Sequence, residues 1–119
     1  MSEKKGIAVT GGASGIGLAV VERLHADGHS VVSLDLPGKG DVAAITNLGV
    51  TTVDIDVNDE DSVRQALADI LEKYGAVHGL VNSAGVIQKR QPPDQLAMKD
   101  WDFVVDTDMR GTCLCCAVF

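Results

Sequence analysis

Positive charge is scarce in this chain. Ten Lys and Arg stand against seventeen Asp and Glu, a formal charge of −7 over 119 residues. A sequence-independent grip on nucleic acid needs clustered Lys and Arg, and docking on an anionic membrane needs the same. Neither partner is expected. A phosphate-bearing ligand is still allowed, because backbone N–H groups at a helix N-terminus hold phosphate without basic side chains. Long apolar runs are missing too: nothing approaches the roughly 20 residues of a membrane helix. Met1 to Lys5 lead straight into Gly6-Ile7-Ala8-Val9, and glycines interrupt the chain from Gly11. That stretch is too short and too glycine-rich for a signal-peptide core, so a cytoplasmic location is expected. Cysteine is limited to Cys113, Cys115 and Cys116. An odd number at such spacing is no disulfide framework, and no His lies near in sequence to complete a four-ligand metal site. They read as small buried residues on a helix, with no metal. Repeats, low-complexity segments and linkers are absent, so residues 1–119 are expected to form one domain.

What is present is an alternation of short apolar runs with helical patterns. Gly6–Thr10, Ser30–Leu34, Thr51–Ile55 and Val77–Asn82 read as strands. Gly15–Ala26 reads as a helix with Ile16, Val20 and Leu24 on one face. Asp41–Leu48 reads as a short helix. Asp59–Lys73 is the clearest helix: Val63, Leu67, Ile70, Leu71 and Tyr74 recur at helical spacing, Asn58 or Asp59 is the expected cap, and Gly75 is the stop. A polar loop with Pro92-Pro93 leads to a last helix beginning near Met98. The order β-α-β-α-β-α-β-α predicts an α/β fold with a parallel sheet covered on both faces by helices.

The motifs fall at the strand ends. Thr10-Gly11-Gly12-Ala13-Ser14-Gly15-Ile16-Gly17 joins the first strand to the first helix. Glycines there permit a tight turn, a close approach of backbone to a pyrophosphate and close helix–strand packing. The free N–H groups of the helix start then face the phosphates. A P-loop is excluded, because Leu18 and Ala19 follow Gly17 where it needs Lys and Ser or Thr. The usual G-x-G-x-x-G spacing is absent as well, and Gly11-x-x-x-Gly15-x-Gly17 is a variant of it. Asp35 follows the second strand, where a carboxylate accepts from the adenosine ribose and repels a 2′-phosphate. Ser14 and Leu36, its neighbours at the site, are not basic, so NAD is expected over NADP. Asp56 and Val57 follow the third strand. Asp56 reads either as an acceptor for the adenine amino group or as a helix-capping, solvated acid. Asn82-Ser83-Ala84-Gly85 ends the fourth strand with small residues that leave room for a flat ligand.

These pieces, in this order and over the whole chain, resemble the short-chain dehydrogenase/reductase family. Thr10–Gly17 is similar to its glycine signature, and Asn82-Ser83-Ala84-Gly85 to its N-N-A-G motif with Ser83 for the second Asn. Asp56-Val57 resembles its adenine-binding pair, and Trp101-Asp102 followed by Gly111 the opening of its fourth helix. The resemblance implies a Rossmann-type doubly wound sheet and a cofactor site of Gly11, Ser14, Gly15, Ile16, Gly17, Asp35, Leu36, Asp56, Val57, Asn82, Ala84 and Gly85. It also implies hydride transfer between a nicotinamide dinucleotide and a small alcohol or carbonyl substrate, in a homo-oligomer. The family's catalytic Ser and Tyr-x-x-x-Lys have no counterpart here. The sole tyrosine, Tyr74, has His78 four residues later and reads as core-facing. The family's helix-four Asn falls at Asp108, which shares a face with Trp101, Val104 and Val105 and is expected to be partly buried. An ionised Asp accepts but cannot donate, so the family role of that Asn is in doubt. The chain is thus expected to be an incomplete Rossmann domain, truncated after strand 4 and the start of helix 4. The rival reading is a stand-alone NAD-binding module or pseudoenzyme. Lys89 and Arg90, in the loop Val86–Leu96, read as a hint of an acidic substrate or as solvated charges.

Overall fold

The computed structural model describes residues 5–85 and 92–119. Met1–Lys4 and Val86–Gln91 lie outside the described residues, and the reading of Lys89 and Arg90 with them. Four strands, β1 (Gly6–Thr10), β2 (Ser30–Asp35), β3 (Thr51–Asp54) and β4 (Gly79–Asn82), pair in parallel in the order β3-β2-β1-β4. The helices are α1 (Gly15–Ala26), α2 (Val42–Asn47), α3 (Glu60–Tyr74), α4 (Met98–Val105) and α5 (Gly111–Val118). A wide π-turn, Asp106–Arg110, joins α4 to α5.

Strand side chains alternate between faces, and both faces of this sheet are apolar. Val9 and Val31 pack with Val21 of α1 and Ile45 of α2. Ala8, Val32 and Leu34 pack with Val63, Ala66 and Ile70 of α3 and Cys115 of α5. The doubly wound arrangement read from the sequence is therefore present.

Local chemistry sets the boundaries. Asp59 caps α3, accepting from the N–H groups of Asp61 and Ser62, and Gly75 ends it at φ +79°. The ladder of β4 starts at Gly79, two residues later than expected from the apolar run. His78 instead closes the strand's entry: its N–H donates to the Gly6 carbonyl, and its Nδ1 accepts from the Gly6 N–H at 2.9 Å.

Several expected faces are corrected. Ile16 is 80% exposed; the inward side of α1 is Gly17 and Val21, with Val20 and Leu24 half-buried. Ile16 sits on the first turn of the helix, next to the glycine turn. Leu71 is exposed, and Ala66 takes the inward place between Val63 and Ile70. Of the three cysteines only Cys115 is buried. Tyr74 does pack against the core, and its hydroxyl donates to Thr51 Oγ1 at 2.7 Å. Asp108 is exposed, contrary to expectation. Its expected face follows from Trp101, which lies before the π-turn and is itself exposed, so that face is not the inward one. The inward stripe becomes Thr107, Gly111 and Cys115. Trp101 and Met109 are left more than half exposed.

Candidate functional site

The parallel sheet brings the carboxyl ends of all four strands to one edge. Thr10 lies level with Leu34 and Asn82, and Asp35 level with Asp54. The glycine turn, Asp35, Asp56-Val57 and Asn82–Gly85 all follow strands at that edge, which is where ligands lie in open α/β folds.

The glycine turn is held from both sides. The Gly11 N–H donates to the Leu34 carbonyl at 2.8 Å, and the Asp41 N–H reaches the Ala13 carbonyl at 2.6 Å. Gly11 has φ +66°, and a Cβ there would lie 2.8 Å from Ala84 Cα. A Cβ on Gly17 would collide with the Gly11 carbonyl oxygen. Only glycine lets α1 start this close to β1. Ser14 stands at the N-cap with an extended backbone, but its side chain caps no N–H. The first-turn N–H groups have no intrahelical acceptor by construction. They and the Ser14 hydroxyl can serve an anion, with the helix dipole favouring negative charge.

Asp35 is fixed before any ligand arrives. Its Oδ1 accepts from the Ala13 N–H at 3.2 Å, and its Oδ2 from the Ser33 hydroxyl at 2.7 Å. Ser33 is fully buried on the same strand face, two residues back. Each carboxylate oxygen keeps a second lone pair for a donor outside the protein. Leu36 is exposed beside it.

Asp56 is half-buried, and its Oδ1 accepts from the Asn58 N–H at 2.9 Å. Its own N–H donates to Ser62 Oγ at 2.9 Å. Asp56 thus turns the chain between β3 and α3 while Asp59 caps the helix. Val57 is buried in the core cluster, so any part of it in ligand binding falls to its backbone.

The Asn82–Gly85 segment is pinned by Thr10, whose Oγ1 accepts from the N–H groups of Ser83 and Ala84, both at 3.2 Å. Asn82 Nδ2 donates to Cys116 Sγ at 3.3 Å. Asp108 reaches this segment from the π-turn: a Cβ on Gly85 would lie 3.2 Å from Asp108 Oδ1. The strand ends therefore gather the glycine turn, Asp35, Asp56, Asn82–Gly85 and Asp108 along one edge. Sequence reasoning missed Thr10 and Ser33 as holders of that edge. Ser33 was open to discovery, since a serine in an apolar strand two residues before a functional acid shares its face. Thr10 reads only as the first residue of the glycine motif, because the partners of its hydroxyl are seventy-odd residues away. Among the described residues, no cluster of His, Cys, Asp and Glu could hold a metal ion. No helix there is long and apolar enough to cross a membrane.

Comparison with known proteins agrees with this geometry. The family model described as short chain dehydrogenase matches residues 5–119. Human 3-hydroxyacyl-CoA dehydrogenase type-2 is 40% identical over 114 residues, which are 87% of this chain and 42% of that protein. The structure of 3-ketoacyl-(acyl-carrier-protein) reductase from Brucella melitensis, complexed with NADH, superposes at a TM-score of 0.90. It is 29% identical over 97% of this chain and 48% of its own. A Brucella melitensis 16M structure named ribose-5-phosphate isomerase superposes at 0.85 with 41% identity, over 98% of this chain and 46% of its own. The chain spans about half the length of the curated relatives it matches. Fold, strand-end motifs and matches converge: the chain belongs to the short-chain dehydrogenase/reductase family.

Proposed function

We propose that this chain is the NAD-binding portion of an oxidoreductase that moves hydride between a nicotinamide and a small alcohol or carbonyl substrate. The carrying observation is Asp35, a carboxylate held by Ala13 and Ser33 beside the glycine turn with lone pairs to spare. The residues present fit the dinucleotide. Ser14, Gly15, Ile16 and Gly17 would meet the pyrophosphate through backbone N–H groups, with Gly11 letting the backbone turn close to it, and Asp35 would meet the adenosine ribose. Leu36, Asp56 and Val57 would flank the adenine. Asn82, Ala84 and Gly85 would line the nicotinamide end, with Asp108 beside them. When bound, the nicotinamide supplies the hydride chemistry.

The protein's own part, in these residues, is binding and orientation. General acid/base work needs a proton donor within reach of the substrate oxygen. Tyr74 is committed to Thr51 and has no lysine four residues on. We therefore assign no proton transfer to residues 1–119. The half-exposed apolar face of α4 and α5, with Trp101 and Met109, suits self-association in the complete protein.

The test is titration of the purified chain with NADH, followed by cofactor fluorescence, against a Gly15→Asp control. Saturable binding lost in the control is expected, with no alcohol- or ketone-dependent turnover. Absence of binding would refute the cofactor reading. Turnover above the control would refute the assignment of the chemistry elsewhere.

A further inference from the structure

Asn58 was a candidate cap for α3, but Asp59 performs that task. Asn58 is instead tied to the far end of the site. Its Nδ2 donates to Thr107 Oγ1 at 3.0 Å, and its carbonyl accepts from Arg110 Nη1 at 3.1 Å. The residue before it, Val57, lies so close to Gly111 that a Cβ there would sit 2.7 Å from Val57 Cγ2. Three contacts thus join the turn after β3 to one short stretch, Thr107–Gly111. That stretch holds most of the π-turn, and the π-turn carries Asp108 to Gly85.

The polar link is part of the interior. Thr107 is buried. Asn58 Oδ1 is buried too, and no hydrogen-bond partner reaches it among the described residues. An amide in that position forfeits one acceptor's worth of hydrogen bonding, a loss that an apolar side chain would avoid. It is kept in place by what its other atoms do. A π-turn is a poorer helical geometry than the α-helix on either side of it, and it persists where surrounding contacts over-determine it. Asn58, Thr107 and Arg110 supply those contacts on one side, and the close fit of Gly111 on Val57 supplies the other.

We infer that Asn58 is a positioning residue that couples the adenine end of the site to the nicotinamide end. Ligand at Asp56-Val57 stiffens the turn that Asn58 completes, and through Thr107 and Arg110 this holds the π-turn with Asp108 against Gly85. The inference rests on the cofactor reading above. It concerns how binding at one end orders the other, through a contiguous hydrogen-bonded element of the kind that carries coupling between sites.

The experiment uses ADP, which carries adenosine and both phosphates but cannot reach the nicotinamide end. Amide hydrogen exchange of the chain is measured with and without saturating ADP. Protection of the turn Asp56–Asn58 reports binding, and protection of Asp106–Gly111 reports coupling. In the native chain, ADP should slow exchange at Asp106–Gly111 by about tenfold, within the usual range of site-to-site coupling. In Asn58→Ala the protection at 56–58 should remain and that at 106–111 disappear. Thr107→Val removes only the hydroxyl from the link at nearly equal volume, and should uncouple in the same way if Asn58→Ala folds poorly. Thr107→Ser keeps the hydroxyl and should restore coupling. A chain that ignores ADP altogether overturns the cofactor reading and this inference with it. A chain that binds ADP at 56–58 but shows no change at 106–111 overturns this inference alone. So does protection at 106–111 that survives Thr107→Val.

Discussion

Replacing Asp35 by Asn should alter cofactor choice more than stability. The amide oxygen can still accept from Ala13, and the amide nitrogen can donate to the buried Ser33 hydroxyl, so both local contacts at 3.2 and 2.7 Å have a successor. Alanine would instead leave the fully buried Ser33 hydroxyl without its acceptor, at about 1–3 kcal/mol. What Asn removes is the charge. Two unit charges 4 Å apart repel by about 1 kcal/mol in water and about 4 at an effective dielectric of 20. Asp35 is half-buried, so the lower part of that range applies. A 2′-phosphate carries nearly two charges, which makes the penalty on NADPH about 2 kcal/mol. On the NADH side, bonds from the ribose to a charged acceptor exceed those to a neutral one by about 1 kcal/mol. Together the preference for NADH over NADPH should fall by about 3 kcal/mol, or roughly a hundredfold, in Asp35→Asn. Calorimetric or fluorescence titration of both cofactors against both proteins measures this ratio. Adding Leu36→Arg to Asp35→Ala should carry the preference over to NADPH. A native protein that binds NADPH as tightly as NADH, or an Asp35→Asn ratio equal to the native one, would refute the electrostatic reasoning.

Gly17→Ala should lower thermal stability and NADH affinity together, because its Cβ meets the Gly11 carbonyl oxygen and overpacking of this kind costs about 1–3 kcal/mol. Gly15→Ala, with no atom within 4 Å but φ +53°, should cost about 1 kcal/mol; equal melting temperatures for the two variants would contradict the close-approach argument. In the 119-residue chain β4 pairs with β1 alone among the described residues. Its other edge is a template for association, so size-exclusion chromatography should show self-association, and in the monomeric fraction the Gly79–Asn82 amides not bonded to β1 should exchange fast. A monomer with those outward amides strongly protected would favour the stand-alone module. Burial, with the neighbouring Cys116 adding to it, pushes the Cys115 thiol up to about 11. Its neutral form is thus the folded one: the stabilisation is complete below the ordinary thiol value of 9.0 and is lost as pH rises through about 11. Alkylation near pH 8 should label exposed Cys113 and Cys116 and spare Cys115 until the chain unfolds, as peptide mass mapping would show.

The amino-acid sequence by itself determined the order of elements, the parallel sheet and which residues stand at the ends of its strands. Those features are written in local chemistry: β-branched runs, helical spacing, the cap at Asp59, the stop at Gly75, and glycines where a backbone must pass close. Gly11, Asp35, Asp56 and Asn82 were legible because each follows or ends an apolar strand, and parallel strands bring such ends to one edge whatever else the chain does. Tertiary structure alone decided which faces are inward. Ile16 and Leu71 have the right spacing for a core and are exposed, because a helix is buried where it lies over a neighbour and not where its period runs past one. Asp108 went astray for a different reason. Its expected face follows from Trp101, which is itself exposed; the inward stripe is Thr107, Gly111 and Cys115, held by contacts from Asn58 and Val57, about fifty residues earlier in the chain. A helical count from Trp101 has no access to a partner that distant.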